Sequence, residues 1–226
     1  MFYAVFDIET QNMAIYDSWN EAFPHINGQK VRHMKFSNKE DAQNWLERGA
    51  LYELKNYDNM SEIQKLKKQY ESFEADGLFC DAGKSSKENF CLVNVTKLNG
   101  ERLFANYSKI IFENSALEVT PEGFIKLPNK TNNYGELMAL ALALTHIKTH
   151  KLNVRHIYSD SSLVINYWSK GIANVPNKET MTLIDQTTKL RKEFEKECGK
   201  VRLISGDINP ADIGRHKSLI PKIKSL

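Results

Sequence analysis

Four acidic residues could together carry out metal-dependent chemistry: Asp81, Glu136, Asp160 and Asp212. Each stands where the local pattern predicts the end of a strand or the start of a helix. Clustered carboxylates repel one another unless a cation lies between them, and their hard oxygens suit Mg²⁺ or Mn²⁺ better than zinc. Two such ions roughly 3.5 to 4 Å apart clamp the attacking and leaving oxygens of an in-line phosphoryl displacement. The four residues therefore predict a two-metal site, with the same side chains as catalytic groups and metal ligands, that hydrolyses a phosphodiester.

Taken one at a time, these carboxylates also have ordinary structural interpretations. Asp81 precedes Gly83 and fits a turn, and Glu136 has the spacing of a capping box with Asn133. Asp160 fits the cap of the next helix, and Asp212 fits a first helical turn. Only the convergence of all four on one sheet favours the catalytic interpretation.

The elements that must position these carboxylates follow from the hydrophobic pattern. Strands are expected at residues 78–82, 90–96 and 102–107, the last after the hairpin signal Asn99-Gly100; then a helix at 136–148, a strand at 154–158, helices at 161–169 and about 178–197, a strand at 200–204, and a last helix from Asn209-Pro210. Strand–helix–strand units imply right-handed crossovers and parallel pairing. We expect an α/β fold with a mixed five-stranded sheet flanked by helices.

The first 76 residues have a different pattern. Residues 1–48 predict a small α+β domain, with strands near 2–6, 13–16 and 31–36 and helix starts at Ser18 and Ser37. Residues 49–76 form a connector with helical spacing of apolar residues from Ile63 to Phe73. The expected division is therefore 1–48, 49–76 and 77–226.

Composition excludes several classes of protein. With 226 residues, 41% hydrophobic and 26% charged, the chain is neither disordered nor collagen-like, and it lacks an apolar stretch long enough to span a membrane. Three cysteines without a C-x-x-C pair fit a reducing compartment. We expect a cytoplasmic monomer, without a membrane or a protein partner.

At this point the motifs resemble a known family. The segments Phe-Cys-Asp81-Ala-Gly, Thr131-Asn-Asn-x-x-Glu136-Leu, Tyr-Ser-Asp160-Ser and Asn-Pro-Ala-Asp212 are similar to the four catalytic segments of type 1 ribonuclease H, in the same order. The resemblance implies a ribonuclease H-like fold, two Mg²⁺ ions with Mn²⁺ as a substitute, and cutting of the RNA strand of an RNA–DNA hybrid to leave 5′-phosphate and 3′-hydroxyl ends. It makes Asn132 and Asn133 candidate substrate contacts.

The small domain also resembles a family module, the N-terminal hybrid-binding or viroplasmin-like domain of many ribonucleases H. The segments Phe2-Tyr-Ala-Val, Ile15-Tyr-x-Ser-Trp19 and Val31-Arg-x-x-Lys35-Phe fit its pattern. The resemblance makes Trp19 a stacking aromatic, and Arg32 and Lys35 phosphate contacts. The alternative is that Trp19 is a core residue at the start of a helix.

Three features depart from the family pattern. The small domain carries five Lys and Arg against seven Asp and Glu. No His lies between Val201 and Asp212, where many members have one that is thought to assist product release; His216 is a candidate replacement. Ser162 stands where the family often has Gln.

Two other functions remain open at this stage. Asp7-Ile-Glu9 resembles the first motif of DnaQ-like 3′–5′ exonucleases. That family also needs a later His followed by Asp five residues on, or a later Tyr followed by Asp four residues on. Beyond the first motif, this sequence has neither pair. The other alternative is a non-catalytic RNA or hybrid binder with a degenerate ribonuclease H fold. Divalent-dependent cleavage of a labelled hybrid separates an enzyme from a binder.

The acidic balance of residues 1–48 gives the first prediction. Counterion release scales with the number of phosphates neutralised, and this segment has few cations to offer. Deleting residues 1–48 is expected to change the slope of log hybrid affinity against log salt concentration by less than about 2. Affinity measured by fluorescence anisotropy between 50 and 300 mM salt tests this, and a change of several units would contradict it.

Overall fold

The computed structural model describes residues 1–27, 29–50, 60–84, 89–174, 177–213 and 218–225. The chain separates into two compact units, Met1–Asn59 and Met60–Leu226. The division at residues 48 and 76 stays a prediction, since residues 51–59 lie outside the described part.

The first unit is a three-stranded antiparallel sheet covered by a helix. Its elements are β1 (Phe2–Asp7), β2 (Met13–Tyr16), α1 (Trp19–Ala22), β3 (Val31–Phe36) and α2 (Lys39–Glu47), with strand order β2-β1-β3. Helix α2 is capped by Asn38, whose side chain accepts a hydrogen bond from the Asp41 N–H, and not by Ser37. Its apolar face, which includes Trp45 and Leu46, packs with Ala4 and Phe6 of β1.

The second unit is a mixed sheet with helices on both faces. Its elements are α3 (Met60–Glu71), β4 (Leu78–Lys84), β5 (Phe90–Lys97), β6 (Lys109–Phe112), β7 (Ser115–Val119), β8 (Ile125–Pro128), α4 (Asn132–His150), β9 (His156–Ser159), α5 (Ser162–Asn166), α6 (Lys178–Lys196), β10 (Lys200–Leu203) and α7 (Ile220–Lys224). The strand order is β10-β9-β4-β5-β8-β7-β6. Strands β10, β9 and β4 pair in parallel, and the other pairs are antiparallel. The expected α/β class and mixed sheet are thus confirmed.

The sheet has seven strands, where five were expected, because the segment after residue 108 adds the hairpin β6–β7 and then β8. The strand expected at 102–107 is wrong. Gly100 adopts a left-handed turn conformation, with φ +85°, but the returning chain pairs with β5 only at Arg102. Phe104 then turns into the core, where it is 3% exposed, so the backbone leaves the ladder.

The helix expected from Asn209-Pro210 is also wrong. A short 3-10 helix at Gly206–Ile208 is followed by a turn, and α7 begins only at Ile220. Within the turn, the Asn209 side chain accepts a hydrogen bond from the Ala211 N–H, which satisfies the backbone without a helix.

Helix α3 from the predicted connector packs within the second unit. One face of the sheet is covered by α4, whose central part, residues 137–144, is apolar and fully buried. The opposite face carries an aromatic cluster of Phe73, Phe79 and Tyr158, against which Leu66 and Tyr70 of α3 pack. Ile208, Ala211 and Ile223 join the same cluster, so α3 helps to support the segment that follows β10.

Among the described residues, no helix combines the length and the apolar character needed to cross a membrane.

The aromatic cluster gives the second prediction. The Phe73 ring is 8% exposed, with its centroid 4.8 Å from that of Tyr158 and 5.2 Å from that of Phe79. Phe73→Ala is expected to lower the free energy of unfolding of the second unit by about 3–5 kcal/mol, because it leaves a cavity behind α3. Urea unfolding followed by circular dichroism measures this.

The matched control for Phe73 is Phe23→Ala in the first unit, where the ring is 46% exposed. It is expected to leave the transition of the second unit in place. Equal small effects of the two substitutions would show that α3 contributes little to the stability of this unit.

Candidate active site

The parallel pairing of β4 and β9 brings Asp81 and Asp160 together. Cys80 of β4 is in register with Ser159 of β9. The residues that follow them, Asp81 and Asp160, therefore stand at the same edge of the sheet. Asp81 is only 7% exposed. Burial, and then the negative charge of Asp160, raise the pKa of Asp81 to about 7.

The turn after β10 brings in the third carboxylate. The Ile213 N–H donates a 2.9 Å hydrogen bond to Asp81 Oδ2, which ties the residue after Asp212 to β4. The charge of Asp212 also raises the pKa of Asp81, although less than that of Asp160. Asn94 Nδ2 on β5 donates to the Ala211 carbonyl at 2.7 Å and anchors the same turn. Asp81, Asp160 and Asp212 therefore interact electrostatically at one place.

Glu136 reaches the same edge from helix α4. Its Oε2 accepts a 2.5 Å hydrogen bond from Ser161 Oγ, next to Asp160, and its Oε1 accepts a 2.7 Å bond from Asn132 Nδ2. Helix α4 starts earlier than expected because Thr131 caps it, accepting from the Tyr134 N–H. Glu136 thus lies in the second turn of the helix, where no capping box with Asn133 forms.

The other ordinary interpretations of the carboxylates fail as well. Asp81 lies inside β4, which continues to Lys84, and not in a turn. Ser161, not Asp160, caps α5 by accepting from the Val164 N–H. Asp212 lies outside any helix. Local backbone structure therefore does not account for their positions.

Close packing at Gly135 sets how near Glu136 lies to the sheet. A Cβ on Gly135 would stand 2.8 Å from Ala82 Cβ and would overlap Cys91 Sγ. Only glycine lets the first turns of α4 approach β4 and β5 this closely. The residue before Glu136 is therefore a packing requirement of the site.

The chemistry of these side chains suits a hard divalent cation. They offer carboxylate oxygens, and burial, followed by the negative charges of Asp160 and Asp212, raises the pKa of Asp81. Burial and the charges of Asp81 and Asp160 also raise the pKa of the Cys80 thiol. As placed, however, no three His, Cys, Asp or Glu side chains in the described part of the chain surround a common metal position. The metal therefore stays a proposal.

The structure also places the predicted substrate contacts. Asn133 is exposed at the start of α4, whereas Asn132 is half-buried and donates to Glu136. In the first unit Trp19 is 41% exposed, so it is not the core residue of the alternative interpretation. Its ring centroid lies 5.5 Å from Tyr3, 5.7 Å from Phe23 and 6.1 Å from His33.

The two predicted phosphate contacts differ from each other. Lys35 is exposed, with its Nζ 5.9 Å from the centroid of the Tyr3 ring. Arg32 is half-buried, and its guanidinium donates a 3.0 Å hydrogen bond to the Gly49 carbonyl after α2. His216, the candidate for the missing loop His, lies outside the described residues.

Sequence reasoning missed Ser161 and Asn209, which bond the carboxylates, and Asn94, which bonds the main chain of the turn before Asp212. The signal for Ser161 and Asn209 was their position beside Asp160 and Asp212 within the quoted motifs. Asn94 carried only a weak one, a polar residue in the middle of an apolar strand.

The comparison with protein families bears on the first unit. Residues 1–46 match the family described as the ribonuclease H1 N-terminal domain. This match confirms the resemblance seen in the sequence of the small domain. Among curated proteins no relative matches the sequence.

The solved structures similar to the chain include ribonucleases H1. The enzyme of the halophilic archaeon Halobacterium salinarum NRC-1 has 14% identity and a TM-score of 0.40, over 65% of this chain and 97% of that one. LC11-RNase H1, isolated from compost by a metagenomic approach, has 16% identity and a TM-score of 0.37, over 65% and 90%. LC11-RNase H1 in complex with an RNA/DNA hybrid has 18% identity and a TM-score of 0.33, over 57% and 82%.

The contact at Gly135 gives the third prediction. Alanine favours a helix over glycine by about 1 kcal/mol, so Gly135→Ala would stabilise α4 if there were space. We expect a net loss of about 1–3 kcal/mol instead, because the new Cβ meets Ala82 and Cys91 and pushes α4 away from the sheet. Urea unfolding measures the loss.

A Cys91→Ala background provides the control for Gly135→Ala. Removing Sγ relieves part of the overlap, so the second substitution is expected to cost at least about 1 kcal/mol less there than in the wild type. A Gly135→Ala protein more stable than the wild type would show that the close approach does not constrain α4.

Proposed function

We propose that this protein is a divalent-metal-dependent endonuclease that hydrolyses the RNA strand of RNA–DNA hybrids and leaves 5′-phosphate and 3′-hydroxyl ends. The observation that carries the proposal is the meeting of Asp81, Asp160 and Asp212 at one sheet edge, with Glu136 linked to it through Ser161. Long stretches of sequence separate some of these residues; Asp81 and Glu136, for example, lie more than 50 positions apart. No local backbone role accounts for the positions of the four carboxylates. The family match of residues 1–46 supports a hybrid as the substrate.

The four carboxylates would hold two Mg²⁺ ions, or Mn²⁺ in their place. When bound, such ions supply positive charge to the attacking water and to the leaving 3′-oxygen. They would also relieve the repulsion that raises the pKa of Asp81.

The chain's own part in the reaction is to orient the carboxylates. Glu136 accepts hydrogen bonds on both oxygens, from Asn132 and from Ser161, so its plane is fixed. Asp81 accepts from the Ile213 N–H. Hydrogen bonds of this kind restrict carboxylate rotation and so reduce the reorganisation needed when a cation and substrate bind.

The substrate contacts are part of the same proposal. Asn133 is exposed in the first turn of α4, three residues before Glu136. The 2′-hydroxyl is the group that distinguishes an RNA strand from DNA. In the first unit, Trp19 would stack on the nucleic acid and Lys35 would contact a phosphate. Arg32 would contribute less, because the Gly49 carbonyl already holds its guanidinium.

The fourth prediction tests the catalytic assignment. Asp81→Asn and Asp160→Asn are each expected to abolish Mg²⁺-dependent cutting of the RNA strand while the protein stays folded. The thermal midpoint should remain or rise, because either change relieves the repulsion between Asp81 and Asp160. A 5′-labelled hybrid resolved on a denaturing gel, with Mg²⁺, Mn²⁺ or EDTA, measures the cutting.

Asp185→Asn is the matched control, since Asp185 is an exposed acid on α6. It is expected to cut as the wild type does. Full cutting by Asp81→Asn or Asp160→Asn would refute the assignment of the site. A wild-type protein that binds the hybrid but does not cut it with either metal would be a non-catalytic hybrid binder.

A further inference from the structure

A buried side-chain amide lies at the junction of the segments that carry the carboxylates. Asn209 is 2% exposed. Its Nδ2 donates two 3.1 Å hydrogen bonds, one to the Cys80 carbonyl on β4 and one to Asp160 Oδ1 after β9. Its Oδ1 accepts a 3.0 Å bond from the Ala211 N–H.

These contacts use both hydrogens of the amide and one lone pair of its oxygen. An amide can donate two hydrogen bonds from its nitrogen, so the Asn209 donors are fully used. The bond to Asp160 has a charged acceptor when this carboxyl is ionised, and such bonds are roughly twice as strong as neutral ones. The amide therefore has one orientation that satisfies all three partners.

The backbone of Asn209 contributes to the same turn. Its carbonyl accepts a 3.1 Å hydrogen bond from the Asp212 N–H, while its side chain holds Ala211. The residue thus connects Asp160, the Cys80 carbonyl within β4 and the turn that presents Asp212.

We infer that Asn209 is a positioning residue of the carboxylate site, which fixes the direction of the Asp160 carboxylate and the turn that carries Asp212. It acts on Asp160 through its amide and on Asp212 through the shape of the turn. Its effect on cleavage rests on the proposed function, whereas its effect on Asp160 does not.

A purely structural role is the competing hypothesis, and Asn94 allows the two to be separated. Asn94 is also 2% exposed, and it donates one 2.7 Å bond to the same turn at the Ala211 carbonyl. In contrast to Asn209, its amide nitrogen bonds the main chain and not Asp160. Losing Asn94 therefore weakens the turn without releasing the Asp160 carboxylate.

The experiment compares Asn209→Ala with Asn94→Ala in the full chain. Without metal, the carboxyl ¹³C resonance of Asp160 is expected to shift in Asn209→Ala and to stay in Asn94→Ala. On a labelled hybrid, Asn209→Ala is expected to lower kcat about 10–100-fold and to raise the Mg²⁺ concentration for half-maximal rate, with KM little changed. Asn94→Ala is expected to lose thermal stability with a much smaller fall in kcat.

A conservative variant keeps the test informative if Asn209→Ala does not fold. Asn209→Ser retains one donor and one acceptor, so it is expected to show an intermediate shift of the Asp160 resonance and an intermediate kcat. An Asp160 resonance that stays at its wild-type position in a folded Asn209 variant would overturn the inference. So would equal shifts and equal losses of kcat in the Asn94 and Asn209 variants.

The outcomes also separate this inference from the proposed function. If the wild type cuts no hybrid, the proposed function fails, while a selective shift of the Asp160 resonance in Asn209→Ala still supports the positioning role. If the wild type cuts and the Asn209 variants keep its kcat and Mg²⁺ dependence, the inference fails and the proposed function stands.

Discussion

Two parallel strands held in register force two carboxylates to lie side by side at a buried sheet edge. The hydrogen bonds between β4 and β9 fix the positions of Cys80 and Ser159, and hence those of Asp81 and Asp160. The repulsion between the two acids cannot be relieved by moving one strand, because each is also bonded to a second neighbour, β5 or β10. The sheet thus provides the rigidity that keeps like charges together, and the surrounding residues serve this arrangement.

Neutral donors complete the arrangement. The carboxylates accept hydrogen bonds from uncharged groups. Glu136 accepts from the Asn132 amide and the Ser161 hydroxyl. Asp160 accepts from the Asn209 amide, and Asp81 accepts from the Ile213 N–H. Such donors orient a carboxylate but add no formal positive charge of their own. The fixed directions of the carboxylates therefore fit the divalent cation that we propose.

The sequence predicted the parts of the structure that depend on local patterns. Alternating or continuous apolar runs located β4, β5, β9 and β10, an apolar run located α4, and a charged segment located α6, each within a few residues. It failed where tertiary contacts decide the local structure. The segment 102–107 has a strand-like composition, but Phe104 is buried in the core. The sequence at Asn209 looks like a helix start, but the Asn209 side chain bonds Cys80 and Asp160 instead.

The same distinction applies to the site. Residue type and position near predicted strand ends and helix starts selected the four carboxylates, and the structure connects Asp81 electrostatically with Asp160 and Asp212 and links Glu136 to Ser161. The residues that orient them could not be predicted, since a hydrogen bond from Asn209 to Cys80 depends on how distant segments pack. Trp19 shows a third case: the motif located it, but only the folded unit shows that its ring is exposed.

The sequence distance between the segments of the site has a consequence for the order of folding. The bonds that complete the site join residues far apart in the chain, 129 positions for Asn209 and Cys80 and 132 for Ile213 and Asp81. Contacts across such long loops form late, after the entropy of loop closure has been offset by more local pairing. During synthesis, β4 and β5 can pair long before residue 213 leaves the ribosome. A growing chain would therefore hold Asp81 in a sheet that is already partly formed, while the carboxylate site is assembled only after synthesis has passed residue 213.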